Sequence, residues 1–440
     1  IVVTVPEGLP LMVTLVLSSN MKRMLKDNVL VRKLIGIETS GNINCLLTDK
    51  TGTLTEGNLK VTTLVTPLNH KISNLATLSS KLQVEITNNL FYNNSSFYNS
   101  DNEITGGNQT DRAILKYVEK SISNHQIVFK KLFDSKDKYS SVTLDNEITY
   151  YKGAKEVLLD KCLYYLDNNG NRQILLNKEK INKDIDNEAK TGSRIIFLTS
   201  KDKHSTSHTY LGYLIIKDTI RSTTVPSINI LHQAGINVIM ITGDNIDTAT
   251  SIAKEAGIIT SKNDVALTSK EFNNLSNEEI STLYSRIKVI ARALPKDKSR
   301  MVKILQNMDL IVGMTGDGIN DAGALKTADV GFAMGSGTEV AKEASDIIIL
   351  DDNIKSITKA ILFGRTIFKS IRKFIIFQLT VNICAMLMAI LGPIFDITTP
   401  VTVIQMLWIN MIMDTLAGIA FASEPPLLEY MLEPPKTKAI

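Results

Sequence analysis

Cysteine, tryptophan and surplus charge are all scarce in this sequence. Cys45, Cys162 and Cys384 are its three cysteines in 440 residues, with no CxxC pair and no histidine cluster. This excludes a disulfide framework or a zinc ribbon and leaves reduced thiols. The formal net charge is only +4, so nothing points to a nucleic-acid partner. There is no internal repeat. No initiator methionine or basic n-region opens the chain, and the first run, IVVTVPEGLPLMVTLVL, is too polar at its centre for a signal peptide. It reads as a membrane helix cut part-way, so the natural start is expected upstream.

What is present suits folded domains: 44% hydrophobic and 21% charged residues, over a length that predicts two or three domains. Two runs near the end are candidate membrane spans. Phe374 to Leu391 carries no charge and Val401 to Ala422 only Asp414. Each is long enough for a hydrocarbon core of about 30 Å. The linking GPIFDITTP is short and turn-rich, which predicts an antiparallel hairpin. Arg365, Lys369, Arg372 and Lys373 place the start of the first span in the cytosol.

The region between reads as strand–loop–helix units. NINCLLTDKTGT, GINVIMITGDN and DLIVGMTGDGIND are apolar strands running into polar glycine loops, two of them followed by helical sequence. This predicts a parallel α/β sheet with its chemistry at the carboxyl ends of the strands. The Asn/Ser/Lys-rich stretch from Glu56 to about Ile215 reads as a domain inserted after the first of these strands. Within it, residues 88–104 (NNLFYNNSSFYNSDNEI) are expected to form a partly disordered surface loop. Asn93, Asn94 and Asn108 match N-x-S/T but fall in the cytosolic part and are read as unglycosylated.

Three constellations carry chemistry. Asp49 ends a strand and precedes Lys50-Thr51-Gly52-Thr53, where a carboxylate can face a γ-phosphate and backbone N–H groups can hold phosphate oxygens. Asp317 and Asp321 of TGDGIND supply carboxylates for the Mg²⁺ that phosphoryl transfer from ATP needs. Lys298 is a candidate to neutralise the transferring group. Lys152 sits beside a glycine, where backbone can approach a ligand. In the spans, Pro6 and Pro10 flank Glu7 and break the helix, freeing carbonyls. Glu7, Asn382, Asn410 and Asp414 together make an oxygen-rich cage for a hard cation.

Together these motifs resemble the P-type cation pumps, specifically the plasma-membrane-type calcium pumps, nearly end to end and most thinly between about 57 and 215. The resemblance implies a Rossmann-like (haloacid-dehalogenase-like) α/β phosphorylation domain over 40–56 and 216–352. It implies an inserted α+β nucleotide-binding domain over 57–215, and transmembrane α-helices. A partial membrane helix and stalk would occupy 1–25, a stalk helix 353–373, and the hairpin 374–393 and 401–422. Asp49 matches the phosphorylated aspartate, Asp317 a Mg²⁺ ligand with the Thr51 carbonyl, and Lys298 the phosphate-contacting lysine. Thr242, Gly243 and Asp244 lie near the phosphates, with Asn320 and Asp321 around the phosphoryl site. Asp111 would face adenine, Phe133 stack on it, and Lys138, Lys152 and Arg194 contact the nucleotide. KDTIR resembles the segment giving Asp218 and Arg221. Ala385 stands where reticulum-type pumps carry a further glutamate. That implies one Ca²⁺ per cycle, held by Glu7, Asn382, Asn410, Asp414 and backbone oxygens of Val2, Val3 and Val5.

The resemblance thus implies a Ca²⁺-transporting ATPase using ATP and Mg²⁺. It would be embedded in lipid of the plasma membrane or an internal calcium store, with its catalytic domains in the cytosol. Calmodulin would act only through a tail beyond Ile440. Leu47 replaces the cysteine common in the family two residues before the aspartate, a mild change at an apolar strand position. No TGE segment is present, so the chain is expected to be a piece of a pump. The alternatives are a pump for another cation such as Mn²⁺ and a shortened, non-pumping nucleotide-binding protein, with a soluble phosphatase more distant.

Overall fold

The computed structural model describes residues 9–118, 123–395 and 402–435. Val2, Val3, Val5 and Glu7 lie outside the described residues. The chain divides into two compact units. One is built from the chain up to Leu54 and again from Ile220; the other is Thr55–Thr219.

The first unit holds an eight-stranded sheet. In chain order its strands are β1 (Val29–Val31), β2 (Cys45–Thr48), β3 (Asn237–Ile241), β4 (Val265–Thr268), β5 (Ile287–Ala291), β6 (Val312–Gly316), β7 (Val330–Met334) and β8 (Ile347–Ile349). Their spatial order is β1-β8-β7-β6-β2-β3-β5-β4. Only β1 pairs antiparallel; every other pairing is parallel. The helices used below are α1 (Leu9–Lys26), α2 (Thr224–Gln233), α3 (Ile246–Glu255), α4 (Ser269–Asn274), α5 (Pro295–Asn307), α6 (Ala322–Thr327), α7 (Ile354–Leu391) and α8 (Val403–Ala422).

The strands are short continuous apolar runs because both faces of the sheet are covered. Along β2, Leu46 packs with Val238, Phe332 and Leu231 of α2, whereas Cys45 and Leu47 pack with Ile239, Met314 and Met301 of α5 on the other face. Period-two alternation thus sends neighbouring side chains into two separate cores. The helices that cover the sheet start on local signals. Asn245 caps α3 by accepting from Thr248 N–H, and α5 opens with Pro295, whose missing N–H costs nothing there.

β2 lies between β3 and β6. DKTGT, TGDN and TGDGIND therefore end three adjacent parallel strands of one sheet, as their sequences predict.

Helix α7 runs unbroken for 38 residues, about 57 Å at 1.5 Å per residue. Its first half is buried against the first unit, and its second half is long and apolar enough to cross a membrane, by length and composition. The segments read from sequence as stalk and first span form one continuous helix. Buried Arg365 anchors it by donating to the carbonyls of Gly41, Ala234, Tyr430 and Glu433.

The second unit is built on a nine-stranded, largely antiparallel sheet. Its segments Ile127–Asp134, Tyr139–Leu144, Ile148–Gly153 and Arg194–Asp202 pair side by side. The asparagine-rich stretch is not a loose surface loop. It begins in the helix Ser80–Tyr92 and ends in a small hairpin, Ser96–Tyr98 with Ile104–Gly106. Asn88, Asn89, Asn93 and Asn94 are all buried. Asn89 donates to the carbonyls of Tyr151 and Thr199, and Asn93 to those of Ser140 and Tyr150. Composition alone reads such residues as solvated, but their amides here satisfy sheet carbonyls that a helix face covers.

Candidate active site

Asp49 follows β2 directly, and its backbone N–H donates to Thr315 Oγ1 of β6 at 3.0 Å. One carboxylate oxygen accepts from Lys50 N–H at 2.6 Å. The other accepts from Lys298 Nζ at 2.7 Å, and the same ammonium reaches Asp321 at 2.7 Å. Asp321 also accepts from the N–H groups of Asp317 and Gly318, both at 3.2 Å, which folds the TGDGIND loop around it. Carboxylate oxygens of Asp49, Asp317 and Asp321 all lie within 4.8 Å of one another.

Charge explains the protonation pattern. Burial, then the charges of Asp49 and Asp321, push the Asp317 carboxyl above its ordinary value. Burial would lower the Lys298 ammonium, but Asp49 and Asp321 outweigh it and hold it up. Three carboxylates face one ammonium, with Asp317 partly open at the rim and Asp321 buried behind it. An oxygen-only, net anionic pocket with an open side suits a hard divalent ion such as Mg²⁺.

The next loop completes the rim. Lys50 pairs with Asp244 at 2.7 Å. Thr242 is buried beneath, and space around Gly243 is open, with nothing within 4 Å of an added Cβ. Thr51 and Asn320 are exposed at the same strand ends. Arg221 donates to the carbonyl of Gly52, whose φ of 76° only glycine adopts readily. Lys50 and Thr315 also contact this site, although the sequence alone assigns them no role. Both lie inside the motifs DKTGT and TGDGIND, so their signal is proximity to Asp49 and Asp317.

In the second unit, Asp111, Phe133, Lys138, Lys152 and Arg194 line one cavity of about 510 Å³. Lys152 and Asp111 are both buried and pair with each other at 2.5 Å. Burial would raise the Asp111 carboxyl, but Lys152 and Ser95 hold it below its usual range. Phe133 is 57% exposed on the edge strand. An added Cβ at Gly153 would stand 2.4 Å from the Lys138 carbonyl, so only glycine allows these strands to meet at the cavity. Asp218 accepts from Thr55 Oγ1 at 2.6 Å, at the root of this unit.

Asn382 lies on α7 and is buried, and among the described residues neither its amide oxygen nor its nitrogen has a partner. One turn earlier, Gln378 Oε1 is in the same position. Asn410 and Asp414 fall on α8, but their side chains lie outside the described residues.

The sheet brings an aspartate after one strand, a lysine on a following helix and an acidic loop after the neighbouring strand to one edge, an arrangement that fits a hydrolase. The chain belongs to the haloacid dehalogenase-like hydrolase family, matched over residues 43–329, and residues 398–439 match the C-terminal region of cation transporting ATPases. It is similar to calcium-transporting ATPase 4, plasma membrane-type, of Arabidopsis thaliana, at 38% identity over 97% of this chain and 44% of the relative. Calcium-transporting ATPase 7, plasma membrane-type, of Oryza sativa subsp. japonica is 37% identical over 100% of this chain and 46% of the relative. The chain thus spans about half the length of the curated relatives it matches.

Proposed function

We propose that this chain is the phosphorylating and nucleotide-binding portion, with part of the ion path, of an ATP-driven calcium pump that works through an aspartyl phosphate. The convergence of Asp49, Asp317, Asp321 and Lys298 at one edge of the parallel sheet carries this reading. An Asp49 carboxylate oxygen attacks the γ-phosphorus of ATP. The new O–P bond forms as the bond to the β–γ bridging oxygen breaks, and ADP leaves with that electron pair. Attack by a carboxylate oxygen removes no proton, so no base is needed.

Lys298 holds Asp49 in place and then faces the charge that develops on the phosphoryl oxygens. Lys50, Thr242 and Asp244 shape the rim where those oxygens sit. Asp49, Asp317 and the Thr51 carbonyl would hold Mg²⁺, with Asp321 behind them. When bound, Mg²⁺ supplies positive charge that offsets the repulsion between carboxylate and phosphates. Asp111, Lys138, Lys152 and Arg194 bind the nucleotide, and Phe133 stacks on its base.

Ca²⁺ is the cargo, held by Glu7, Asn382, Asn410 and Asp414 with backbone oxygens of Val2, Val3 and Val5. The unpartnered amide of Asn382, in a span where no water repays a lost hydrogen bond, supports this assignment. The membrane is the plasma membrane or that of a calcium store.

The test is acid-stable labelling of membranes containing the chain by [γ-³²P]ATP. A hydroxylamine-sensitive label that needs Ca²⁺ and disappears in Asp49→Asn is expected. Label that ignores Ca²⁺, or follows Mn²⁺ instead, removes the calcium assignment; label retained in Asp49→Asn removes the nucleophile.

A further inference from the structure

Among the described residues of the first unit, Asp297 is the most fully buried carboxylate, with 0% exposure, and its hydrogen bonds go to groups other than those above. It precedes Lys298 in the first turn of α5. One of its oxygens accepts from Ser269 Oγ at 2.6 Å and from Leu294 N–H at 2.8 Å. The other accepts from Asn273 Nδ2 at 2.8 Å. Ser269 and Asn273 belong to α4, and Leu294 is the residue on which α5 begins. Asp297 therefore ties the start of α5 both to its own cap and to a second helix. Arg300, one turn on, repeats the tie by donating to the carbonyls of Phe272 and Leu275.

Burying a carboxylate against neutral donors is a costly way to fasten two helices, since a well-packed apolar contact would do so without desolvating a charge. What it adds is direction. Asp297 and Lys298 are consecutive, so their side chains leave the helix about 100° apart. Three hydrogen bonds on Asp297 set the rotation of α5 about its axis. That rotation sets where the four-carbon stem of Lys298 starts. Lys298 spans two carboxylates at 2.7 Å each, which leaves little slack in that stem.

We propose that Asp297 is a positioning residue for phosphoryl transfer: its buried carboxylate aims Lys298 at the phosphoryl group as Asp49 gives up its hydrogen bond to the ammonium. The inference rests on the reading of Asp49 as phosphate acceptor.

A mutant cycle on the full chain in membranes tests it. Asp297→Asn is expected to slow labelling at saturating ATP about tenfold, with half-saturating ATP changed by less than about twofold. Lys298→Ala slows labelling by itself, and adding Asp297→Asn to it is expected to slow it no further. An equal slowing by Asp297→Asn with and without Lys298 overturns the proposal, because a purely structural defect acts in both backgrounds. Should Asp297→Asn fail to fold, Ser269→Ala, which removes one donor, goes through the same cycle with about a threefold effect expected.

An unlabelled wild type would count against the Asp49 reading alone. The clamp is then read from acetylation of Lys298 by acetic anhydride, mapped by peptide. At least about a fivefold faster reaction is expected in Asp297→Asn as the ammonium loosens, and no change overturns the clamp.

Discussion

Gly316→Ala adds one methyl group to the strand end that faces the acidic loop. Its Cβ would stand 2.5 Å from Asp321 Cβ and 2.9 Å from Asp321 Cγ. Non-bonded carbons settle at about 3.5–4.0 Å, so Asp321 must retreat by roughly 1 Å. Its bonds to Asp317 N–H and Gly318 N–H are already 3.2 Å long and would pass out of range. Its short bond to Lys298 would stretch with them. Overpacking alone costs about 1–3 kcal/mol, or roughly 5 °C in the melting of a unit this size. The rate should suffer more, because a 1 Å displacement of a charge-bearing group costs about a hundredfold. Gly313→Ala, three residues back on β6, is the control. Its Cβ would meet the methyl ends of Ile43 and Leu46, at 2.9 and 3.2 Å, which can give way. Circular-dichroism melting and phosphoenzyme labelling per folded molecule separate the two. Both variants should melt earlier, and only Gly316→Ala should label slowly. Equal labelling by the two would falsify the claim that Asp321 organises the site.

Three further outcomes follow from the same geometry. A carboxyl raised on folding binds protons more tightly in the native state, so Asp317 makes stability fall as pH rises through the window just above 3.8. Mg²⁺ at a hundredfold excess over its dissociation constant should therefore stabilise the fold by about 2.7 kcal/mol at pH 7.5, and by less at pH 4.5, where protons compete for Asp317; equal stabilisation at both would refute the carboxylate site. Lys152→Ala strands the buried Asp111 charge and should destabilise the second unit by about 3–5 kcal/mol at neutral pH. Asp111 is held low, so the native pair's contribution is present above 3.8 and lost as pH falls; the gap between variant and wild type should narrow in acid melts. Phe133→Ala should weaken binding of a fluorescent ATP analogue about tenfold through lost stacking, while melting stays unchanged because the ring is exposed.

The parallel sheet of the first unit was legible because its signals are local. CLLT, NVIMI and VGMTG are too short and too apolar to be anything but buried strands, and each is followed at once by the loop that carries its chemistry. Asp49, Asp317, Asp321 and Lys298 meet because three of those strands are neighbours, which the strand–loop–helix rhythm implies. The second unit hid more. Asn89 and Asn93 read as solvated polar residues, since nothing in their own segment announces carbonyls on strands 47 to 110 residues away. Asp297 was masked differently. It looks like one more charge in PKDKSR, and only the arrival of Ser269 and Asn273 from another helix turns it inward.

The place of β2 between β3 and β6 bears on how the chain is made. The first strand that can pair with Cys45 to Thr48, Asn237–Ile241, leaves the ribosome roughly 190 residues after them. At 5–20 residues per second that is a wait of about 10–40 s. Through this interval a strand that is fully buried in the folded chain has no partner, while the whole of Thr55–Thr219 emerges and can close on itself. The nascent chain must therefore complete its insert before its centre, and β2 is the segment most exposed to misassembly on the way. A chaperone that holds this chain should be found on Cys45–Thr48, and should leave once β3 has been translated.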